Sequence, residues 1–345
     1  MKFSLFIHME RTDPAEDQRK LYDEMIDLCK IADAGGMHAI WSGEHHAMNF
    51  TIAPNPMLTL VDLAHHTRNV RLGTGTVMAP LWHPLRLAGE AAMTDLMTGG
   101  RLELGVARGA YMFEYERMHP GLDAWNAGQM MRELIPAVEA LWQGDYTHDG
   151  QFWKFPKSTS APMPVQEGGP PIWVAARDPN SHEFAVSHGY NVQVTPLHLG
   201  DEEVEKLMGH FNAACEKFAK VPRPKIMLLR HTYVAADEAD AERGAVEVNR
   251  FYNYFGAWFK NERDISMGLI KPLTEDEIAA HPFYSPAAMR ANNVIGPAAE
   301  VIARLKRYEE LGYDEYSFWI DTGMSFARKK ASLERFIAEV MPAFA

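Results

Sequence analysis

The sequence predicts an α/β fold, a single domain over residues 1–345 built as a (β/α)8 barrel of the TIM type with insertions. Three observations carry that prediction. Short runs rich in β-branched and aromatic residues alternate with longer segments of helical period. Eight such runs can be counted, with helical segments between most consecutive pairs. Right-handed parallel crossovers can close a series of this kind into a barrel, which commonly takes about 250 residues or more as one unit. The competing arrangement is an open doubly wound sheet, which uses the same alternation.

The rhythm opens with a strand at Phe3–Met9, an amphipathic helix at Asp17–Ala34 and a strand at His38–Trp41. It continues with a helix at Pro56–His66, a strand at Val70–Thr76, a helix at Pro84–Met97 and a strand at Leu102–Ala107. A helix over about Ala127–Trp142 precedes His148–Phe155, where Asp149-Gly150 between apolar residues signals a turn or hairpin outside the barrel. Strands resume at Ile172–Ala176, Val192–Thr195 and Ile226–Val234, with helices at Asn180–Ser187 and Glu202–Phe218 between them. A helix at Pro297–Leu311 leads into the last strand, Tyr316–Ile320. Residues 256–293 fit no clean period and carry Pro272, Pro282 and Pro286 among many charges, a length too great for an ordinary connection. Two readings stand for this segment: a mobile active-site lid, and a solvent-covered insertion with short helices of its own.

Composition narrows the function classes. Apolar residues make up 47% and charged residues 23%, the balance of a soluble globular protein with material for one large core. A formal charge of −12 argues against a phosphate-coating nucleic-acid surface, which needs clustered Lys and Arg. Cys29 and Cys215 lack CxxC or Cys/His spacing, which fits a reducing cytoplasm and excludes a disulfide scaffold. The first eight residues hold no basic region followed by a long apolar stretch, and no later run approaches membrane-spanning length. The expectation is a soluble cytoplasmic protein without nucleic-acid or membrane partners.

Candidate chemistry collects at the C-terminal ends of strands, where barrel active sites are built. Trp41-Ser42-Gly43-Glu44-His45-His46 ends the second strand. A histidine titrates near neutral pH and can exchange a proton there, while Glu44 can orient a ring or pair across an interface. Adjacent histidines on an extended segment point in opposite directions, so one of His45 and His46 is structural. Neither His45-His46 nor His65-His66 has the spacing of a compact metal site, and no metal is expected. Small residues in Leu72–Pro80 let backbone lie close against a planar ligand, without the third glycine of a dinucleotide fingerprint. Beyond the fourth strand, Arg108 offers a planar fork to phosphate, Gly109 admits close backbone approach and Tyr111 can pack beside a ring. The plain alternatives are a surface ion pair for Arg108 and core packing for Tyr111. Beyond the fifth strand, Ala176-Arg177-Asp178-Pro179-Asn180-Ser181 supplies a cation and a helix start, an anion site or an ordinary N-cap. Trp82, Trp258, Phe259 and Phe283 are read as core or lid packing rather than pocket walls.

Taken together, these blocks resemble the bacterial-luciferase-like flavin-dependent monooxygenases from the first strand to the terminal helix. The likeness lies in Trp41–His46, Gly73–Pro80, His83-Pro84-Leu85-Arg86 with Asp95 and Gly99–Leu102, Gly105–Gly109, Ile295-Gly296-Pro297 and Leu311–Asp314. The resemblance implies FMN at the C-terminal mouth, a homodimer, and reduced flavin supplied by a separate NAD(P)H:flavin reductase. It puts the catalytic histidine at His45, the phosphate arginine at Arg108 and a cis peptide at Gly75-Thr76. The chain also departs from the pattern. Ala107 stands at the reactive cysteine of luciferases, Gly128 stands where a further arginine is often found with Arg132 nearby, and Ala176-Arg177 replaces a Glu-Ser phosphate pair, with Ser181 as the remaining hydroxyl donor.

The expected mechanism has FMN phosphate near Arg108, Arg177 and Ser181, its ring over Gly75-Thr76, and dioxygen as co-substrate giving a flavin peroxide whose protonation His45 sets. The substrate is a small organic molecule that the sequence does not identify. Two alternatives remain: a deazaflavin-dependent oxidoreductase on the same barrel, and a flavin-binding protein without turnover.

Overall fold

Eight parallel strands lie buried at the centre of the structure, a computed structural model that describes residues 1–281 and 283–344. Pro282, singled out within the candidate lid, and Ala345 lie outside the described residues. The strands are β1 Lys2–Ile7, β2 Ala39–Ser42, β3 Arg71–Thr74, β4 Leu102–Ala107, β5 Ile172–Ala175, β6 Asn191–Val194, β7 Ile226–Ala235 and β8 Glu315–Trp319. Each pairs in parallel with its neighbour, and β7–β8 and β8–β1 pairing closes the ring. The predicted barrel is therefore the observed fold, and the open sheet is not.

Strand alternation creates two cores. Phe3, Leu5 and Ile7 of β1, with Leu102, Leu104 and Val106 of β4, pack outward against the helices. Phe6, Trp41, Trp173, Met227, Leu229 and Trp319 fill the barrel interior. Period-2 side-chain alternation separates these sets, so a one-residue slip in any strand would exchange them. The interior also holds two acids: Trp41 Nε1 donates to Glu315 at 3.0 Å and Trp173 Nε1 donates to Glu103 at 2.7 Å. Burial raises the Glu315 pKa, and the indole N–H satisfies the carboxyl there. Gly105 is required by space, since a Cβ on it would sit 2.1 Å from the Thr74 carbonyl oxygen.

The surrounding helices begin where local chemistry starts them. In α1, Gln18–Ala34, the Asp17 side chain caps the first turn, and Leu21, Met25, Leu28 and Ala32 form the buried stripe. Pro56 after an Asn55 cap opens α2, Pro56–His66; Pro84 after a His83 cap opens α3, Pro84–Met97. The chain then forms α4 Met112–Met118, α5 Ala124–Gln143, α6 Pro179–Ser187 and α7 Asp201–Lys217. Tyr146–Asp149 and Lys154–Ser158 make the expected hairpin at Asp149-Gly150.

The segment after β7 departs from the expectation. A 23-residue helix, α8 Glu238–Lys260, runs through the proposed start of the insertion, so residues 256–260 are its last turn. Phe251, Tyr252, Phe255 and Trp258 are buried along one face of α8, a 3.6-residue period that the many flanking charges conceal. The remainder holds a small hairpin, Ile265–Ser266 with Leu269–Ile270, then α9 Glu275–Ala279 and α10 Pro286–Asn292. Val294–Pro297 extends the sheet beside the C-terminal half of β7, and α11 Ala298–Leu311 and α12 Phe326–Arg335 complete the wall.

Candidate active site

A cavity of about 750 Å³ opens at the C-terminal ends of the strands. Every candidate site residue named from the sequence, Glu44, His45, Gly75, Thr76, Arg108, Gly109, Tyr111, Ala176, Arg177 and Ser181, lies on its wall. The structure sorts them into separate corners.

The first corner is built where β2 ends. His45 Nδ1 meets Glu114 Oε2 at 3.0 Å, and Glu114 Oε1 accepts the His46 backbone N–H at 2.7 Å. A fully buried Glu114 side chain, from the first turn of α4, thus holds the ring of one histidine and the backbone of the next. With Nδ1 occupied, Nε2 is the His45 nitrogen left for a ligand, since a hydrogen bond at one ring nitrogen sets the tautomer at the other.

Glu44 is arranged differently. Its carboxylate accepts from the Met78 backbone N–H at 2.9 Å, Trp82 Nε1 at 2.9 Å and His46 Nε2 at 2.7 Å. The Glu44 hydrogen bond raises the His46 pKa against the opposing effect of burial. Glu44 therefore orients a ring, that of His46, and ties β2 to the strand residues Val77–Met78 that follow a cis Gly75-Thr76 peptide. The two histidines diverge as expected, His46 toward Glu44 and His45 toward the cavity.

Three arginines form a second group. Arg108, Arg132 and Arg177 line the cavity from the end of β4, from α5 and from the β5–α6 connection. Arg108 Nη1 donates to the Ala124 carbonyl at 3.3 Å, and Arg177 sits 3.5 Å from Glu203 while half exposed. A guanidinium carries five N–H donors, so each keeps several for a ligand. Ser181 Oγ donates to Asp178 Oδ2 at 2.7 Å, so its hydroxyl is directed to its own helix cap and must turn to serve an anion. The Ala176 backbone N–H is taken by the Gln193 carbonyl. Gly109 adopts φ +90, and a Cβ there would lie 2.9 Å from the Tyr115 hydroxyl, which donates to the Arg108 carbonyl at 2.5 Å.

Tyr111 falls on the histidine side. Its ring lies 5.2 Å from His45 and 4.8 Å from Phe259, within a wall that also holds Phe50 and Phe255. Phe259, expected to pack in the core or lid, lines the cavity; Trp82 binds Glu44, and Trp258 packs on Phe113. Among residues that sequence reasoning missed, His8 closes the floor, 5.3 Å from His45. Burial foremost, then the charges of His45 and His231, lower its pKa and keep it neutral. Glu114 was missed because nothing in the residues around it marks a carboxylate that points inward rather than to solvent.

Comparison with known proteins decides the family. The luciferase-like monooxygenase family profile matches residues 1–315. The chain belongs to the luciferase-like monooxygenase family. This luciferase-like monooxygenase is 74% identical over 344 residues to the "Flavin-dependent trigonelline monooxygenase, oxygenase component" of Acinetobacter baylyi, spanning 100% of this chain and 96% of that one. It superposes on monooxygenase RslO1 from Streptomyces bottropensis with a TM-score of 0.84 at 25% identity, covering 100% of both chains. The oxygenating constituent of 3,6-diketocamphane monooxygenase from Pseudomonas putida, solved in complex with FMN, gives a TM-score of 0.78 at 20% identity over 99% of this chain and 98% of that one. The enzyme is a flavin-dependent monooxygenase, and the deazaflavin and non-catalytic readings are not favoured. Among the described residues no helix is long and apolar enough to cross a membrane, and no group of three or more His, Cys, Asp or Glu side chains is placed to hold a metal.

Proposed function

We propose that this chain is the oxygenase component of a two-component enzyme that takes reduced FMN from a separate NAD(P)H:flavin reductase and uses dioxygen to oxygenate trigonelline, the N-methyl betaine of nicotinic acid. The observation that carries this reading is a single cavity lined by three arginines and by a carboxylate-held histidine. The high identity to the Acinetobacter baylyi protein supports the substrate.

The residues present suit FMN. Arg108, Arg132 and Arg177 would hold its phosphate by charge-assisted hydrogen bonds, with Ser181 joining if its hydroxyl leaves Asp178. Gly75, Thr76, Gly109 and Ala176 leave room for the ring system and its chain. When bound, reduced FMN supplies the two electrons that activate dioxygen. His45 holds or moves a proton at Nε2 beside the reacting atoms, and Glu114 keeps that nitrogen in place. Glu44 acts by positioning His46 and Met78.

The part of the 256–293 segment that lies beyond α8, residues 261–293, serves as a lid in this reading, within a single domain over 1–345. Asn49, next to Phe50, donates to the Met267 carbonyl at 2.8 Å, and its own N–H donates to the Gly268 carbonyl at 2.7 Å, so the hairpin tip is fastened beside the cavity wall. A homodimer is supported by Leu58 of α2 and Met93, Leu96 and Met97 of α3, apolar side chains left exposed on adjacent helices. The free thiols Cys29 and Cys215 support a cytoplasmic location, and the net charge of −12 supports the absence of nucleic-acid partners.

The test is labelled-oxygen turnover. Protein mixed with anaerobically reduced FMN, trigonelline and ¹⁸O₂ is expected to give product carrying ¹⁸O in step with flavin oxidation. Flavin oxidation that yields only hydrogen peroxide would overturn the reaction, and equal turnover with a reduced deazaflavin would overturn the cofactor.

A further inference from the structure

One side of the cavity is a continuous aromatic wall. Phe50 lies 5.7 Å from Tyr111 and 5.6 Å from Phe255, and Phe259 lies 4.8 Å from both Tyr111 and Phe255. Interplanar angles from 45° to 66° turn neighbouring rings in different directions, so the wall offers π surface as well as ring edges. Phe50 comes from the β2–α2 connection, Tyr111 from the N-cap of α4, and Phe255 and Phe259 stand one turn apart on α8. Three separate chain segments therefore converge on one surface.

Charge distinguishes this wall from a merely greasy one. Among the described residues lining the cavity, the Arg and Lys side chains are Arg108, Arg132 and Arg177, and none of them is stacked over one of these four rings, Arg132 lying instead over Phe184. Two buried carboxylates, Glu44 and Glu114, stand beside the wall, hydrogen-bonded to His46 and His45. His8, beneath the wall, is held neutral by burial, and the Tyr111 phenol is kept protonated by burial. A cation against this wall would meet ring quadrupoles and carboxylates without competition from a resident ammonium or guanidinium.

We propose that Phe50, Tyr111, Phe255 and Phe259 form the substrate-selecting subsite, and that it takes an aromatic ring bearing a permanent positive charge, such as an N-methylpyridinium. This deepens the reaction proposed above and rests on it for the choice of ring. The cation lies against the aromatic wall with the Glu114–His45 pair behind it, which sets the ring beside His45 Nε2. A neutral ring of the same shape would keep the apolar contact and lose the electrostatic part.

N-methylnicotinate and 3-methylbenzoate share the carboxylate and methyl geometry and differ by a ring nitrogen cation against a carbon. Isothermal titration of both, with and without oxidised FMN, is expected to show at least about tenfold tighter binding of the cation, the size of a desolvated cation–π contact. F259L, at a half-exposed position that tolerates change, and F255L are each expected to reduce that preference severalfold while leaving 3-methylbenzoate affinity within about twofold. The ratio of the two affinities cancels any general loss of folded protein. Equal binding of the two ligands by the wild type, or a preference unchanged in both variants, would overturn the subsite. Preferred binding of N-methylnicotinate without its oxygenation would refute the reaction and leave the subsite standing; oxygenation without preference would do the reverse.

Discussion

Glu114 reaches across from the start of α4 to hold His45, with 3.0 Å between Oε2 and Nδ1, while its other oxygen accepts the next backbone N–H. The orientation and the tautomer of the proposed catalytic histidine therefore depend on a residue 69 positions away in sequence. Glu114→Gln preserves the shape and removes the charge. It is expected to lower kcat by about 10- to 100-fold, since His45 Nδ1 loses the carboxylate that fixes its ring and tautomer. FMN affinity should stay within about twofold. A kcat within about twofold of the wild type would show that Glu114 does not act through His45. His45→Ala should collapse coupled oxygenation with FMN binding retained.

The arginine corner is tested by a ligand lacking phosphate. Arg108→Ala is expected to weaken reduced FMN by about 10- to 100-fold, the worth of charge-assisted hydrogen bonds, and to leave reduced riboflavin nearly unaffected. Anaerobic fluorescence titration reads both affinities. Equal losses for the two flavins would move the phosphate elsewhere.

Glu44 is assigned a positioning role, and its removal should appear first in stability. Glu44→Ala leaves the Met78 N–H, the Trp82 indole and His46 without their shared acceptor in a buried site, at a cost of about 3 kcal/mol in urea unfolding. The Glu44–His46 pair raises the folded pKa of His46. Its contribution is thus complete below about pH 6.5 and fades as pH rises through the higher folded value. Glu44→Gln should flatten that alkaline decline.

Acid should destabilise the fold through its buried histidines. His231 packs 3.8 Å from Trp319, and burial, with the Arg230 charge, lowers its pKa to about 3. His8 shifts in the same direction. The unfolded chain takes up these protons near pH 6.5 and the folded chain does not, so stability falls as pH drops from about 6.5 toward 3, by up to about 1.4 kcal/mol per pH unit for each such group. Thermal unfolding at pH 7.5 and 5.5 measures the drop, and His231→Phe should reduce it. A wild-type midpoint unchanged across that interval would contradict the assignment.

The lid reading predicts uncoupling rather than loss of binding. Asn49→Ala removes the side-chain bond to Met267 at the hairpin tip. The fraction of reduced flavin that ends as hydrogen peroxide should rise severalfold, because a looser tip admits water to the site. A peroxide assay beside oxygen uptake gives this fraction, and deletion of residues 265–270 that left it unchanged would refute the lid.

Hydrophobic period carried most of the architecture. All eight barrel strands overlap predicted runs, five of them extending one residue outside, and α2 and α3 begin and end as expected, because Asn55-Pro56 and His83-Pro84 mark their starts in the local chain. The Asp149-Gly150 hairpin was legible for the same reason. By contrast, α8 was obscured by its charged residues, and its buried face has meaning only against the cavity it covers.

Glu44, His45, Gly75, Arg108 and Arg177 share one cavity because a barrel gathers its strand ends at one mouth, a convergence legible from their places at strand ends. Their grouping was not. Nothing local says that Tyr111 joins His45 rather than Arg108, that Ser181 spends its hydroxyl on Asp178, or that Phe255 and Phe259 meet Phe50. The sequence by itself determined which elements form and which end of the barrel carries the chemistry, since both follow from periodicity and capping within a few residues. Only the tertiary structure decided which side chains share a corner of the cavity, because contacts such as Glu114 with His45 depend on packing between segments far apart in the chain.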